Sequence, residues 1–457
     1  MSHPESSNPN NCTFFEFLKN NKMFFSSQLV ENFLLSIKVK PFVILSGGTG
    51  TGKTKLAQMY GKYISEKKKP TIAETEVTLT KADTNNGFTL SADDFFKSLP
   101  YNGRKADGTY KIKIGDLETE CTINMSPRLW YRPNVKPVKD EINKLKSQGK
   151  EKETLQIFIP TEDYSGKQYE IVPVGSNWTE SRFIVGYKNV LTQQYSPTKA
   201  LNLIIESNNH QTMAFLLVLD EMNLSHVERY FSEILSAMES EEPISLDSDG
   251  STIPESISIG ENLVIIGTVN VDETTYAFSP KVLDRANVIE FESTPISGIY
   301  SPKNTELEPD GDLEFLDNCM KGIDVRKMNF IDIIDEICKV PENKKYCDRM
   351  ISDLDSIKKS MDTIHLSFGY RTIDEIFRFM YASWIYKRNG EFSTWSRFFD
   401  AQIKQKILPK IHGNLSIRDE LSTMFNLCKD RGYETSAEKI DKMIKTLEKQ
   451  RYVSFNN

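Results

Sequence analysis

The sequence predicts an α/β chain: a parallel sheet flanked by helices, a small mixed α/β region inserted into it, and an α-helical C-terminal part. Three observations predict this. Short apolar runs at 42–45, 215–219 and 263–268 are separated by helical patterns, which is how strands buried on both faces of a parallel sheet read. The stretch from about 81 to 165 breaks that alternation. Beyond about residue 320 the pattern is almost wholly helical.

Taken in order, residues 1–12 are rich in Ser, Asn and Pro and are expected to be disordered. Residues 13–300 form the expected α/β core. From 14 to 37 apolar positions such as Leu29, Phe33 and Ile37 recur at helical spacing, and Pro41 ends the run. The strand at 42–45 leads into a glycine loop, and 55–65 reads as a helix with Leu56, Met59, Tyr60 and Tyr63 on one side. In the insertion, assigned to 81–165, Tyr110-Lys111-Ile112-Lys113-Ile114 alternates as a strand, with turn signals at Asn102-Gly103 and Asp107-Gly108. The charged stretch 139–152 reads as a solvated helix. Strand patterns resume at 169–174, a helix follows at 198–207, and 287–291 is the last strand. Residues 301–457 are read as a helical lid and a C-terminal helical region.

A chain of 457 residues exceeds one ordinary core, so two or three domains are expected. The formal charge of −7 excludes a whole-surface attraction to nucleic acid and leaves room for a local basic patch. The six cysteines make no Cys-x-x-Cys pair and the five histidines complete no zinc spacing with them, so scattered thiols in a reducing compartment are expected. The start shows no basic and apolar leader pattern, and no stretch reaches about 18 apolar residues. A cytoplasmic protein with no membrane partner is expected.

The chemistry gathers in four places. Gly47-Gly48-Thr49-Gly50-Thr51-Gly52-Lys53-Thr54 has the Walker A spacing, after an apolar strand and before a helix that Lys55 opens. Glycines let backbone N–H groups converge on phosphates, and the helix N-terminus adds positive potential. Lys53 reaches the outer phosphates and the Thr54 hydroxyl meets a Mg²⁺ ion. Next, the strand at 215–219 ends in Asp220-Glu221, a Walker B pair. Asp220 is the second metal-side group, and Glu221 the general base for the attacking water. Third, Asn270 closes the strand begun at Leu263, where polar side chains point into the ligand crevice of a parallel sheet; it orients that water. Fourth, Arg285 is placed to act as an arginine finger on a neighbour's nucleotide, a local pair with Asp284 or Glu290 being the alternative. Arg371 opens a helix and is expected to touch the phosphates from the lid.

The order of these motifs, with Asp220-Glu221-Met222-Asn223, Asn270 with Asp272, and Leu283-Asp284-Arg285, resembles the AAA+ motor of the McrB family, in the dynein-related and MoxR-like branch. The strings Gln405-Lys406-Ile407-Leu408-Pro409-Lys410-Ile411-His412-Gly413 and Tyr452-Val453-Ser454-Phe455 are similar to that family as well. The resemblance covers roughly 30–80, 168–295 and parts of the tail. It implies a P-loop nucleoside triphosphatase core with ATP or GTP as substrate and Mg²⁺ as cofactor. It also implies a ring, expected to be a hexamer, and a separate McrC-like nuclease subunit driven on DNA. The sequence departs from the family at Asn270-Val271-Asp272-Glu273, where the second acid stands one place early, and at Arg285, which stands without the family's arginine cluster. The family's DNA-reading domain is not expected to fit in the 46 residues before the loop. A MoxR-like chaperone acting on a protein partner is the alternative function.

The insertion offers its own route to DNA. Between 122 and 150, seven Lys or Arg face two acids, a net of +5, and Trp130 and Tyr131 lie between Arg128 and Arg132. That composition suits phosphate contact with base stacking. A solvated face around two core aromatics, or a protein-docking surface, is the plainer reading and is preferred.

Overall fold

The computed structural model describes residues 12–66, 71–79, 88–89, 108–124, 130–131, 136–159, 166–250, 252–271, 276, 278–292, 309–318, 320 and 323–455. It contains two compact units. One takes in residues up to 66, 167–208 and 214–457; the other spans 67–166 with 209–213.

The larger unit is α/β, built on five parallel strands: β1 (Phe42–Gly47), β2 (Tyr169–Pro173), β3 (Phe215–Asp220), β4 (Leu263–Asn270) and β5 (Asn287–Phe291). Their order across the sheet is β5-β1-β4-β3-β2, every pair parallel. All six residues of β1 and all eight of β4 are buried, which accounts for the unbroken apolar runs of these central strands. The helical run expected from 14 to 37 is two helices, α1 (Phe14–Asn20) and α2 (Ser27–Val39). Capping side chains divide them. The Glu16 N–H donates to Thr13 Oγ1 at the head of α1, and the Leu29 N–H to Ser26 Oγ at the head of α2. Helix α3 (Lys53–Glu66) buries Leu56, Met59, Tyr60 and Tyr63 as the spacing predicts. Two further helices of this unit are α4 (Lys199–Asn209), before β3, and α5 (Ser232–Ser240), after it.

The C-terminal part is mainly helical, with α6 (Lys344–Thr363), α7 (Tyr370–Tyr386), α8 (Trp395–Gln402), α9 (Arg418–Arg431) and α10 (Glu434–Gln450). It also holds a short ladder the helical pattern gave no sign of. His412–Asn414 pairs antiparallel with Tyr452–Ser454, so the two C-terminal strings singled out in the sequence meet, Gly413 opposite Val453. Among the described residues no helix is long and apolar enough to cross a membrane. Cys12, Cys338, Cys347 and Cys428 are not in disulfides among the described residues.

A buried ion cluster joins these helices to the sheet. Glu375, on α7, pairs with Lys40 at the end of α2 and with Lys406. Burial pushes Lys40 down to about 7 against the pull of Glu375. Burial works to raise Glu375, yet Lys40 and Lys406 together draw it down to about 2. The two senses are consistent: one carboxylate enjoys two ammoniums, whereas the lysines share a single carboxylate. The folded value of Glu375 lies below its ordinary 4.5. Its stabilisation is therefore present above that pH and lost as pH falls toward 2. Removing the charge leaves two ammoniums buried without their carboxylate, so Glu375→Gln is expected to cost about 3–5 kcal/mol at pH 6. It should also flatten the acid limb of the stability curve. Denaturant unfolding at pH 6 and pH 3 checks both, and equal stability of variant and wild type at pH 6 would refute them.

The smaller unit is an antiparallel sheet of six strands, ordered 88–89, 71–79, 152–159, 108–114, 117–124, 130–131. Its limits differ from the 81–165 expected. Strand Thr71–Leu79 pairs along its length with Lys152–Ile159, Thr71 opposite Ile159, so the entering and leaving segments lie side by side. The helix expected over 139–152 runs from Lys136 to Ser147 and gives way to a strand at Lys152. Its Leu145 is buried, as is Ile114 on the hairpin. Gly115, at φ 57°, makes the tight turn beneath them, where a Cβ would stand 2.8 Å from Glu141 Oε1. Arg128, Arg132 and Asn102-Gly103 lie outside the described residues, and of Trp130 and Tyr131 only the backbone is described.

Candidate functional site

Three adjacent strands, β1, β4 and β3, end at the same edge of the sheet. Gly47 is in register with Asn270, and Leu219 with Gly267. The glycine loop, the acidic pair and Asn270 are thereby brought to one place, at the carboxyl ends of parallel strands where such sheets bind ligands.

The loop is shaped by close approach. A Cβ on Gly47 would lie 2.5 Å from the Phe291 carbonyl oxygen of neighbouring β5, which excludes any other residue. Gly52 has φ 95°, with the Phe25 ring 3.0 Å from where a Cβ would be. Helix α3 begins at Lys53, directing its first-turn N–H groups and positive end toward the loop. Lys53 is 4% exposed, and its ammonium donates to the carbonyls of Gly47 at 2.8 Å and Gly48 at 2.6 Å. Thr51 Oγ1 donates to Gly48 O at 2.8 Å. Lys55 is exposed and its ammonium turns away to Gln58 Oε1.

From the loop a continuous hydrogen-bonded chain crosses the strands. Thr54 Oγ1 donates to Asp220 Oδ1 at 2.6 Å, and Thr268 Oγ1 donates to the same oxygen at 2.7 Å. Thr268 Oγ1 in turn accepts the Glu221 N–H at 3.0 Å. Asn270 Nδ2 donates to Glu221 Oε1 at 3.1 Å, and Asn223 Nδ2 to Asn270 O at 3.4 Å. Glu221 sits in the left-handed region, φ 55° and ψ 47°. A non-glycine residue held there costs about 1 kcal/mol or more and is found where a site must aim a side chain.

Thr268 is the participant the sequence reading passed over. Its signal was present: a hydroxyl in an otherwise apolar strand, two places before Asn270 and so on the same face of β4. Asp272 and Glu273 lie outside the described residues.

The two arginines are elsewhere. Asn287 pairs with Val43, four residues short of Gly47 on β1. The start of β5 is thus about 13 Å below the loop at the usual strand rise, and Arg285 precedes it. Its Nη1 donates to Lys281 O at 2.9 Å, and Nη2 pairs with Glu239 of α5. The local partners expected are otherwise engaged: Asp284 pairs with Lys410, and Glu290 with Lys404 and Lys439. Burial, then the charge of Arg371, lowers the pKa of Arg285 from its ordinary value. Arg371, expected over the phosphates, pairs with the same Glu239. One carboxylate thus gathers both guanidiniums at the amino edge of the sheet.

For a metal, the chain supplies one carboxylate, Asp220, and one hydroxyl, Thr54, in mutual contact. No group of three or more His, Cys, Asp or Glu that could hold an ion occurs among the described residues. This donor set fits Mg²⁺ held jointly with phosphates, for which one or two protein oxygens suffice.

A family model described as Domain of unknown function (DUF8727) matches residues 322–452, the greater part of the helical C-terminal segment. No curated protein matches the chain.

Proposed function

We propose that the chain is a P-loop nucleoside triphosphatase of the AAA+ kind. The observation that carries this is the chain Thr54–Asp220–Thr268–Glu221–Asn270, which ties a Lys53 loop to an acid and an amide across three strand ends. Loop N–H groups and Lys53 would hold the phosphates. Bound between Thr54, Asp220 and the phosphates, Mg²⁺ would supply charge neutralisation. Glu221, steered by Asn270, is oriented to take a proton from water attacking the outer phosphorus.

The wider reading is a ring-forming motor, a hexamer by resemblance, that drives a separate McrC-like nuclease on DNA in the cytoplasm. Two things support it: the motif order that resembles McrB, and the position of Arg285 and Arg371 at the sheet edge opposite their own loop. Guanidiniums there serve a neighbour's nucleotide rather than their own. A MoxR-like chaperone would use the same machinery on a protein.

The deciding experiment is phosphate release with ATP and with GTP, each with and without DNA. Turnover that DNA stimulates supports the motor; turnover indifferent to DNA favours the chaperone. Lys53→Ala is the control. It removes the charge-assisted phosphate contact, for which about 1.5–3 kcal/mol, or roughly 10- to 10²-fold in affinity, is expected. Calorimetric titration with unchanged affinity in Lys53→Ala would remove the loop from the reading.

A further inference from the structure

We infer that Lys406, in the string Gln405–Gly413, is a positioning residue for Arg285; this rests on the role proposed above for Arg285. Lys406 belongs to a short π-helical stretch, Ile403–Ile407, a departure from α-helix often found where function requires it. The residue is 1% exposed. The ammonium donates to Asp284 O at 3.0 Å and to Ala286 O at 2.9 Å, the carbonyls on either side of Arg285, and pairs with Glu375. All three of its hydrogens are accounted for. Lys40 adds a second donor to Asp284 O at 3.2 Å.

Lys410, four residues on, extends the clamp. It pairs with the Asp284 carboxylate and donates to Thr372 Oγ1 at 3.1 Å. Thr372 follows Arg371, so the string holds the backbone beside Arg285 and the side chain next to Arg371. The side chain of Arg285, by contrast, is 15% exposed, and its Nε is buried without a hydrogen-bond acceptor. Its backbone is fixed, while among the described residues its head is held by Lys281 O and a partly exposed Glu239. Replaced alone by methionine, Lys406 would leave two carbonyls without this donor and Glu375 with Lys40 as its remaining ion-pair partner, so the surroundings are built to hold a cation here. Two carbonyls bracketing one arginine are what the cation is suited to hold.

The test uses the full chain. Lys406→Met should bind a fluorescent ATP or GTP analogue within about twofold of wild type, while kcat falls about 10²-fold, the scale of a 1 Å misplacement of a catalytic group. Because the defect lies in a group acting on the neighbouring subunit, mixing Lys406→Met with Glu221→Gln should restore turnover. Adding Lys406→Met to Arg285→Ala should slow it no further, as expected of residues acting as one unit. Lys406→Arg should recover part of kcat. A near-normal kcat in Lys406→Met overturns the inference, as does a loss that mixing cannot rescue or that adds to Arg285→Ala. If Lys406→Met does not fold, Lys410→Gln decides on the same readouts. If Arg285→Ala itself turns over normally, the role of Arg285 falls first, and this inference with it.

Discussion

Glu221→Gln is expected to bind nucleoside triphosphate as wild type does and to hydrolyse it at least about 10²-fold more slowly, the scale of losing a general base. The amide is nearly isosteric, so the Glu221 N–H should still reach Thr268 and the left-handed backbone should be kept. What changes is the head. An amide cannot take a proton from water. Where Oε1 accepts from Asn270 Nδ2, the new carbonyl can still do so, leaving an NH₂ where the second carboxylate oxygen was. Binding should survive because the phosphate contacts proposed above belong to the loop and Lys53. Titration calorimetry and single-turnover phosphate release measure the two halves separately. Near-normal turnover would move the base elsewhere and leave the hydrogen-bonded chain without its proposed use.

Arg285→Ala is expected to lower turnover by about 10³-fold, the lower range for a finger supplied by a neighbour. The position behind this is specific: Arg285 precedes a strand whose first residue pairs with Val43, while the loop begins at Gly47. Within one chain it is at the wrong edge of the sheet. Mixed with Glu221→Gln, some interfaces will join an intact Glu221 to an intact Arg285, and activity should return. A mixture that stays inactive although mixed rings form, or a monomer that turns over at full rate, would defeat the in-trans role. Glu239 should moderate the effect. In the single chain it holds Arg285 and Arg371 together, so delivery to a phosphate means exchanging one anion for another.

The strand ends of the site were legible from composition because buried parallel strands are unbroken apolar runs, and each ends in the polar residues that matter. The Lys53 loop, Asp220, Glu221 and Asn270 converge for that reason. The helix break at 21–26 was less visible, since the apolar spacing continues through it and only Thr13 and Ser26 announce the caps. The edges of the inserted sheet were hidden differently. Thr71–Leu79 carries polar residues throughout, and the charged run that suggests one helix from 139 to 152 conceals a strand beginning at Lys152. The partner of Arg285 was out of reach. Glu239 lies on another helix, and Lys406 reaches Asp284 O across 122 positions of chain. Pairings of that kind are made by packing, and no local spacing encodes them.

The chain through Thr268 also has a polarity. A carboxylate has no hydrogen to give, so both Thr54 and Thr268 must direct their hydroxyl hydrogens at Asp220 Oδ1. With its hydrogen committed, Thr268 can meet the Glu221 N–H only with a lone pair, and it does. Asn270, facing another carboxylate, must offer its amide nitrogen. No rotor along this line is free to turn end for end. With its hydrogen committed to Asp220, Thr54 has only lone pairs to offer the cation proposed above. In the proposed hydrolysis the dipoles would already be oriented when charge begins to move, and little of the barrier would go into realigning them. Thr268→Ser would keep that sense of direction; Thr268→Val, nearly the same shape, would leave Asp220 and Glu221 as two neighbours with no common bearing.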